Sequence, residues 1–206
     1  MQGAYRPKNG EPRVLPIVQS TTYKYDSSVE MGDLFDLKKS GYFYSRLQNP
    51  TNDTVAAKIT MLEGGVAGML TSSGQAANFY AVFNIAQAGD HIVSSSAIYG
   101  GTYNYLEHTF PEFGVTTTFV DPEVDGAFEA AIQDNTKAIF IETLGNPNSN
   151  LIDIEEIAKI AHAHNIPLVV DSTFATPYLV RPIEYGADIV VHSATKFIGG
   201  HGTAIG

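Results

Sequence analysis

The sequence contains no cysteine, so it forms no disulfide, offers no Cys-based zinc ligand and has no thiol nucleophile. Long apolar runs are absent too. No stretch approaches the roughly eighteen apolar residues of a membrane-spanning helix, and the N-terminus has no apolar signal core. The missing cysteine fits a reducing compartment. We therefore expect a soluble, cytoplasmic protein with no membrane partner.

Positive charge is also scarce. Lys and Arg total 12 against 22 Asp and Glu, which gives a formal net charge of -10. A surface of that sign repels nucleic acids and anionic membranes. His162 and His164 are two residues apart in a predicted helix, so their side chains diverge and do not chelate a metal. We expect small-molecule substrates, no nucleic-acid partner and no metal site.

The residues that are present divide the chain into two parts. Residues 1–51 are rich in Pro, Gly and Tyr with little periodicity, which predicts an arm that packs on another surface, or else a floppy terminus. Residues 52–206 alternate strands with helices, which predicts a large α/β domain whose mostly parallel sheet has helices on both faces. The predicted strands include 66–71, 115–120, 138–142, 166–170 and 189–191. The predicted helices include 52–62, 76–86, 126–135 and 154–164.

Polar residues at the ends of these elements carry the candidate chemistry. Lys196 follows an apolar strand, where partial exclusion of water would make its amine a candidate for Schiff-base chemistry. Asp171 ends another buried strand, at the sheet edge where α/β proteins bind ligands. The turn Ser73-Gly74-Gln75 leads into a helix whose free N–H groups can bind an anion. Taken alone, each also has an ordinary interpretation: a surface lysine, a cap of the following turn, and a helix N-cap.

The segment Ser193-Ala194-Thr195-Lys196, followed by Gly199-Gly200-His201-Gly202, resembles the cofactor-lysine motif of the Cys/Met-metabolism family of pyridoxal-phosphate (PLP) enzymes. Other motifs of the family occur in the right order, from about Tyr5 to the last residue. The resemblance implies the large domain of a fold type I, aspartate-aminotransferase-like PLP transferase, with a mostly parallel, seven-stranded sheet. Residues 202–206 would be an antiparallel strand of that sheet, and a smaller C-terminal domain would follow this chain.

The resemblance also implies a role for each matching residue. Lys196 would bind PLP covalently and move protons, Tyr99 would stack on the pyridine ring and assist, and Asp171 would keep the ring nitrogen protonated. Glu142 and Asn146 match the E-x-x-x-N-P segment of the family, in which the asparagine bonds the phenolic oxygen of PLP. The other cofactor contacts would come from Ser73, Gly74, Gln75, Thr173, Ser193 and Thr195, and from Tyr44 and Arg46 of a neighbouring subunit. The chain departs from the usual pattern in having Ser172, where the family has Asn.

The function that the resemblance implies is a PLP-dependent γ-replacement in methionine and cysteine biosynthesis. In detail the sequence is most similar to the sulfhydrylases, transferases that make homocysteine from O-acetyl-L-homoserine and sulfide or small thiols. Such an enzyme would be a homo-oligomer, a dimer of dimers with shared active sites. The enzyme alternatives are a cystathionine γ-synthase and a cystathionine or methionine γ-lyase. The alternative of another class is a non-catalytic fragment that binds PLP or only dimerises.

Overall fold

The computed structural model describes residues 4–206, so residues 1–3 of the predicted arm lie outside it. The chain forms two compact units. Of the described residues, the first comprises 4–61 with Gly65–Leu70, and the second comprises Leu62–Gly64 with Thr71–Gly206. The predicted boundary between an arm of residues 1–51 and a domain of residues 52–206 stays a prediction.

The first unit is mostly irregular chain with little core. It contains helix α1 (Ser28–Phe35), which Ser27 caps, and most of helix α2 (Pro50–Glu63), which confirms the helix predicted from residue 52 to residue 62. Among the described residues of this unit, only Leu34 and Ala56 are buried hydrophobic side chains. A segment with so few buried apolar groups gains little stability from its own packing. This agrees with the low periodicity of its sequence.

The second unit is built on a parallel sheet. Its described strands are β1 (His91–Ser95), β2 (Thr116–Val120), β3 (Thr136–Glu142), β4 (Leu168–Asp171) and β5 (Ile189–Val191). They lie in the order β2-β1-β3-β4-β5, and every neighbouring pair is parallel. The α/β class predicted from the sequence is therefore confirmed.

Helices precede and connect the strands. The longest that lie wholly in the second unit are α3 (Gly74–Phe83) and α7 (Ile154–Ala163). Helix α4 (Gly100–Asn104) continues through a π-helical turn (Tyr105–Thr109) into α5 (Phe110–Glu112). The shorter elements are α6 (Ala127–Ala130), α8 (Thr176–Leu179) and a 3-10 turn (Pro182–Tyr185).

The hydrophobic core occupies both faces of the sheet. Along β3, Ile139 and Ile141 pack in one cluster with α7, while Ala138 and Phe140 pack in the other cluster, which contains Val82 of α3. Successive side chains of a strand point to opposite faces, so a strand covered on both sides needs apolar residues throughout. This is why the strands read as continuous apolar runs in the sequence.

Three details differ from the prediction. The described residues form five strands instead of seven, because neither 66–71 nor 202–206 is a strand. Strands need neighbours that pair with their backbone groups, and these two segments are not paired with any described strand. The helix predicted from residue 126 to residue 135 is only Ala127–Ala130, since the chain then turns so that Gln133 N–H donates to the Thr136 hydroxyl at 2.8 Å.

Within the described residues, no helix is both long enough and apolar enough to cross a membrane.

Candidate active site

A cavity of about 450 Å³ lies at the carboxyl ends of the strands in the second unit. Because β3 and β4 are parallel and in register, Glu142 and Asp171 are neighbours at this edge. Ten of the twelve site residues predicted from the sequence line the cavity: Ser73, Gly74, Gln75, Tyr99, Asn146, Asp171, Thr173, Ser193, Thr195 and Lys196. The topology thus brings together residues that are up to 123 positions apart in the chain.

The remaining two predicted residues belong to the first unit. The Arg46 guanidinium lies 4.9 Å from the centre of the Tyr44 ring, and 37% of Tyr44 is exposed. Stacking of this kind fixes the guanidinium while its N–H groups stay free to donate. The role of both residues at a cofactor phosphate stays a prediction.

The N-terminus of α3 and the segment after β5 form one wall of the cavity. Ser73 caps α3 by accepting a hydrogen bond from Ala76 N–H at 3.1 Å. A Cβ added to Gly74 would lie only 2.8 Å from Ser193 Cα, so only glycine allows the helix to approach Ser193 so closely. The wall therefore combines free N–H groups with the hydroxyls of Ser193 and Thr195, which is a suitable set of donors for an anion.

Asp171 is a buried carboxylate with several hydrogen-bond donors. Only 7% of the residue is exposed. Its Oδ1 accepts from Thr173 N–H at 3.0 Å and from the Thr173 hydroxyl at 2.5 Å, and its Oδ2 accepts from Asn78 Nδ2 at 2.8 Å. The Thr173 hydroxyl in turn accepts from Ser193 N–H at 2.8 Å. Thr173 therefore joins Asp171 to the segment that carries Ser193, and both sequence interpretations of Asp171, turn cap and cavity carboxylate, apply.

Glu142 is a second buried acid in the cavity, which sequence reasoning had matched to a motif without giving it a role. It is 4% exposed, and its Oε1 accepts a hydrogen bond from Tyr99 N–H at 2.7 Å. Burial, and next the neighbouring charge of Asp171, raise the pKa of Glu142 to about 8, although the Tyr99 N–H acts in the opposite direction. Glu142 is therefore mostly protonated near neutral pH, and it positions the backbone of Tyr99.

Lys196 lies in a turn beyond β5, and its side chain lines the cavity. The sequence predicted an amine partly excluded from water, but Lys196 is exposed in this structure. The reason is its position five residues beyond the last strand residue, Val191, in a turn closed by Gly200 N–H donating to Lys196 C=O at 2.8 Å. The amine is therefore accessible from the cavity.

Sequence reasoning missed two hydrogen-bonded contacts of the second unit, the one between Asn78 and Asp171 and the one between Glu63 and His192. Asn78 follows Gly74 by one helical turn and so lies on the same face of α3, which is a signal that the sequence did contain. His192, next to Ser193, makes a buried contact through Nε2 with Glu63 Oε1. No local sequence pattern predicts the contact between Glu63 and His192, because the two residues are 129 positions apart.

The chain is similar in sequence to known proteins. The sequence profile of a family described as Cys/Met metabolism PLP-dependent enzyme matches residues 2–206. An O-acetyl-L-homoserine sulfhydrylase of Leptospira meyeri is 48% identical over 194 residues, which are 94% of this chain and 44% of that protein. An L-methionine gamma-lyase of Treponema denticola is 46% identical over 192 residues, which are 92% of this chain and 48% of that protein.

A solved structure is also similar. It is an O-acetylhomoserine (thiol)-lyase of Campylobacter jejuni that contains N'-pyridoxyl-lysine-5'-monophosphate, and it matches with a TM-score of 0.95 and 40% identity. The match covers 98% of this chain and 50% of that one. The chain spans about half the length of the curated relatives it matches.

Proposed function

The chain belongs to the Cys/Met metabolism PLP-dependent enzyme family, and on that premise we propose that the complete protein makes homocysteine from O-acetyl-L-homoserine and sulfide. The reaction is a γ-replacement, in which the Cγ–O bond of the substrate breaks, acetate leaves, and sulfide forms the new Cγ–S bond. The observation that carries the proposal is the single cavity shared by the Asp171 carboxylate, the α3 N-terminus and Lys196. The similarity of the chain to an O-acetyl-L-homoserine sulfhydrylase also supports the proposal.

The residues of the cavity fit PLP. The close approach of Gly74 to Ser193 makes a cradle for an anion, and the hydroxyls of Ser193 and Thr195 add donors, so this wall would hold the phosphate. Asp171 would pair with the ring nitrogen, because a buried carboxylate stabilises a neighbouring positive charge. Asn146 would donate to the phenolic oxygen. When bound, PLP supplies an electron sink for bonds broken at the substrate α-carbon.

The protein side chains would handle the protons. The exposed amine of Lys196 would bind the cofactor covalently. After exchange with the substrate amine it would move protons to and from the α- and β-carbons: each carbon loses a proton before the Cγ–O bond breaks and regains one after sulfide adds. The phenol of Tyr99 would assist this transfer, and its ring would stack on the cofactor. Glu142 fixes Tyr99 through the 2.7 Å hydrogen bond to its N–H. Replacing Asp171 with Asn should raise the barrier by roughly 3 kcal/mol, the scale of a lost electrostatic partner in a water-poor site.

The proposal includes a homo-oligomer, a dimer of dimers in which the arm of one subunit serves the site of the next. It is supported by the free face of the stacked Arg46 guanidinium and by the small core of the first unit. Arginine suits the role because its planar fork of donors matches phosphate oxygens. A cytoplasmic location belongs to the same proposal.

The steady-state assay of the full-length protein with O-acetyl-L-homoserine and sulfide tests the reaction. We expect homocysteine and acetate in equal amounts, and no product with Lys196→Ala. A methionine γ-lyase is the second candidate, because one relative of that name is 46% identical. Faster methionine cleavage than sulfide turnover would support the lyase, and faster turnover with cysteine would support a cystathionine γ-synthase. If the full-length protein binds no PLP and shows none of these three activities, the result would support a non-catalytic protein.

A further inference from the structure

Asn78 is a buried polar residue on the face of α3 that meets the sheet, and it lines the cavity. We propose that Asn78 is a positioning residue, which holds the Asp171 carboxylate in place for the cofactor ring nitrogen. The inference rests on the proposed function, since it concerns how PLP is held. None of the site roles implied by the sequence included this residue.

The contacts of Asn78 are unequal. Its Nδ2 donates to Asp171 Oδ2 at 2.8 Å, while its contact with the Thr102 hydroxyl is longer, at 3.3 Å. Its Oδ1 is buried without a hydrogen-bond partner among the described residues. A buried amide oxygen without a partner is destabilising, so the favourable interaction of this side chain is the bond to Asp171. The amide orientation follows from charge: the opposite orientation would place Oδ1 against a carboxylate.

Asn78 and Thr173 donate to different oxygens of the Asp171 carboxylate. Both donors of Thr173 act on Oδ1, so the hydrogen bond from Asn78 is the one that fixes Oδ2. Hydrogen bonds to a charged acceptor are shorter and stronger than neutral ones. Without Asn78, the described residues leave Oδ2 with no donor, and only the two Thr173 hydrogen bonds to Oδ1 restrain rotation of the carboxyl about its Cβ–Cγ bond.

Other titratable groups lie near Asp171 or line the same cavity. The Glu142 carboxyl comes from β3, the Tyr105 phenol comes from the π-helical turn, and the Lys196 amine comes from the segment after β5. Burial and the charge of Asp171 raise the pKa of both Glu142 and Tyr105. Both are therefore mostly protonated near pH 7. A substitution of Asn78 should therefore affect the cofactor ring nitrogen through the position of the Asp171 carboxylate.

The test uses the full-length holoenzyme loaded with PLP that carries 15N in the ring. Solid-state NMR follows the ring-nitrogen shift against pH, which reports the protonation of that atom directly. Asn78→Leu keeps the side-chain shape and removes the donor. We expect it to lower the midpoint of ring-nitrogen titration by about one pH unit, the equivalent of one charge-assisted hydrogen bond. The rate constant kcat should fall about tenfold by the same relation. Asn84→Leu, an exposed asparagine at the end of the same helix, is the matched control and should behave as wild type.

The possible outcomes are distinct. An unchanged midpoint in Asn78→Leu with full cofactor content overturns the inference, even if the variant is less stable, because a purely structural role would lower stability alone. If that variant does not fold, Asn78→Ala removes the same donor without added bulk and is judged by the same midpoint. A wild-type protein that binds no PLP would reject the proposed function, and the inference with it. A wild type that binds PLP, beside a variant with an unmoved midpoint, rejects the inference only.

Discussion

Replacing Glu142 with Gln should make the protein more stable near neutral pH, although Glu142 is a cavity residue. Glu142 has a pKa of about 8 in the folded chain against an ordinary value of 4.5. Between these values the folded protein binds more protons than the unfolded chain, so its stability falls as the pH rises through this window. Gln has no such dependence, and its amide oxygen can still accept the hydrogen bond from Tyr99 N–H.

The magnitude follows from the pKa difference. From about pH 5 to about pH 7, the wild type should lose roughly 2 to 3 kcal/mol of unfolding free energy through this group, at about 1.4 kcal/mol per pH unit. Since the neighbouring charge of Asp171 is the second cause of the raised pKa, the gain from Glu142→Gln should be smaller in an Asp171→Asn background. Glu142→Leu removes the acceptor as well, and it should weaken the position of Tyr99.

The assay is urea unfolding of the full-length protein without cofactor, at several pH values, for the wild type and each variant. The difference in unfolding free energy between Glu142→Gln and wild type is the measured quantity, so contributions from other groups cancel. Glu112→Gln, at an exposed glutamate on α5, is the matched control and should follow the wild type at each pH. A difference between Glu142→Gln and wild type that stays constant from about pH 5 to pH 8 would refute the argument, since burial would then not have shifted the proton equilibrium.

Three further predictions concern other residues. Borohydride reduction of the PLP-loaded protein, followed by peptide mapping, should find the cofactor attached to Lys196; attachment to another lysine would contradict the assignment. Full-length Lys196→Ala and Arg46→Ala chains, each inactive alone, should recover roughly a quarter of wild-type activity when their subunits exchange. The reason is that about half of the dimers then contain one intact site. No recovery despite exchange would place Arg46 in its own subunit's site. Burial lowers the pKa of His91, whose ring bonds the Thr136 and Thr118 hydroxyls at 2.8 Å each, so the wild type should lose stability as the pH falls below about 6.5. His91→Asn should reduce this loss of stability in urea titrations. If the unfolding free energy of His91→Asn falls with pH as steeply as that of the wild type, the prediction is wrong.

Much of the site could be predicted because its residues follow strands that the sequence marks clearly. Asp171 directly ends an apolar run, and Lys196 comes shortly after another, so both had to lie near the carboxyl edge of a parallel sheet. The sheet itself was less predictable. The segment 66–71 is apolar enough for a strand, yet strand formation depends on a neighbour that is distant in sequence. The exposure of Lys196 likewise depends on the turn that follows it.

The α/β class, the parallel strands and the composition of the cavity wall follow from the order of the amino acids, because apolar periodicity and turn residues act locally along the chain. How the cavity carboxylates are held depends on the folded chain. The hydrogen bond from Asn78 to Asp171 joins residues 93 positions apart, and the contact between Glu63 and His192 joins residues 129 apart. The raised pKa of Glu142 depends on burial and on a charge that arrives from another strand. Such effects depend on the distance between atoms in space, which the order of residues along the chain does not specify.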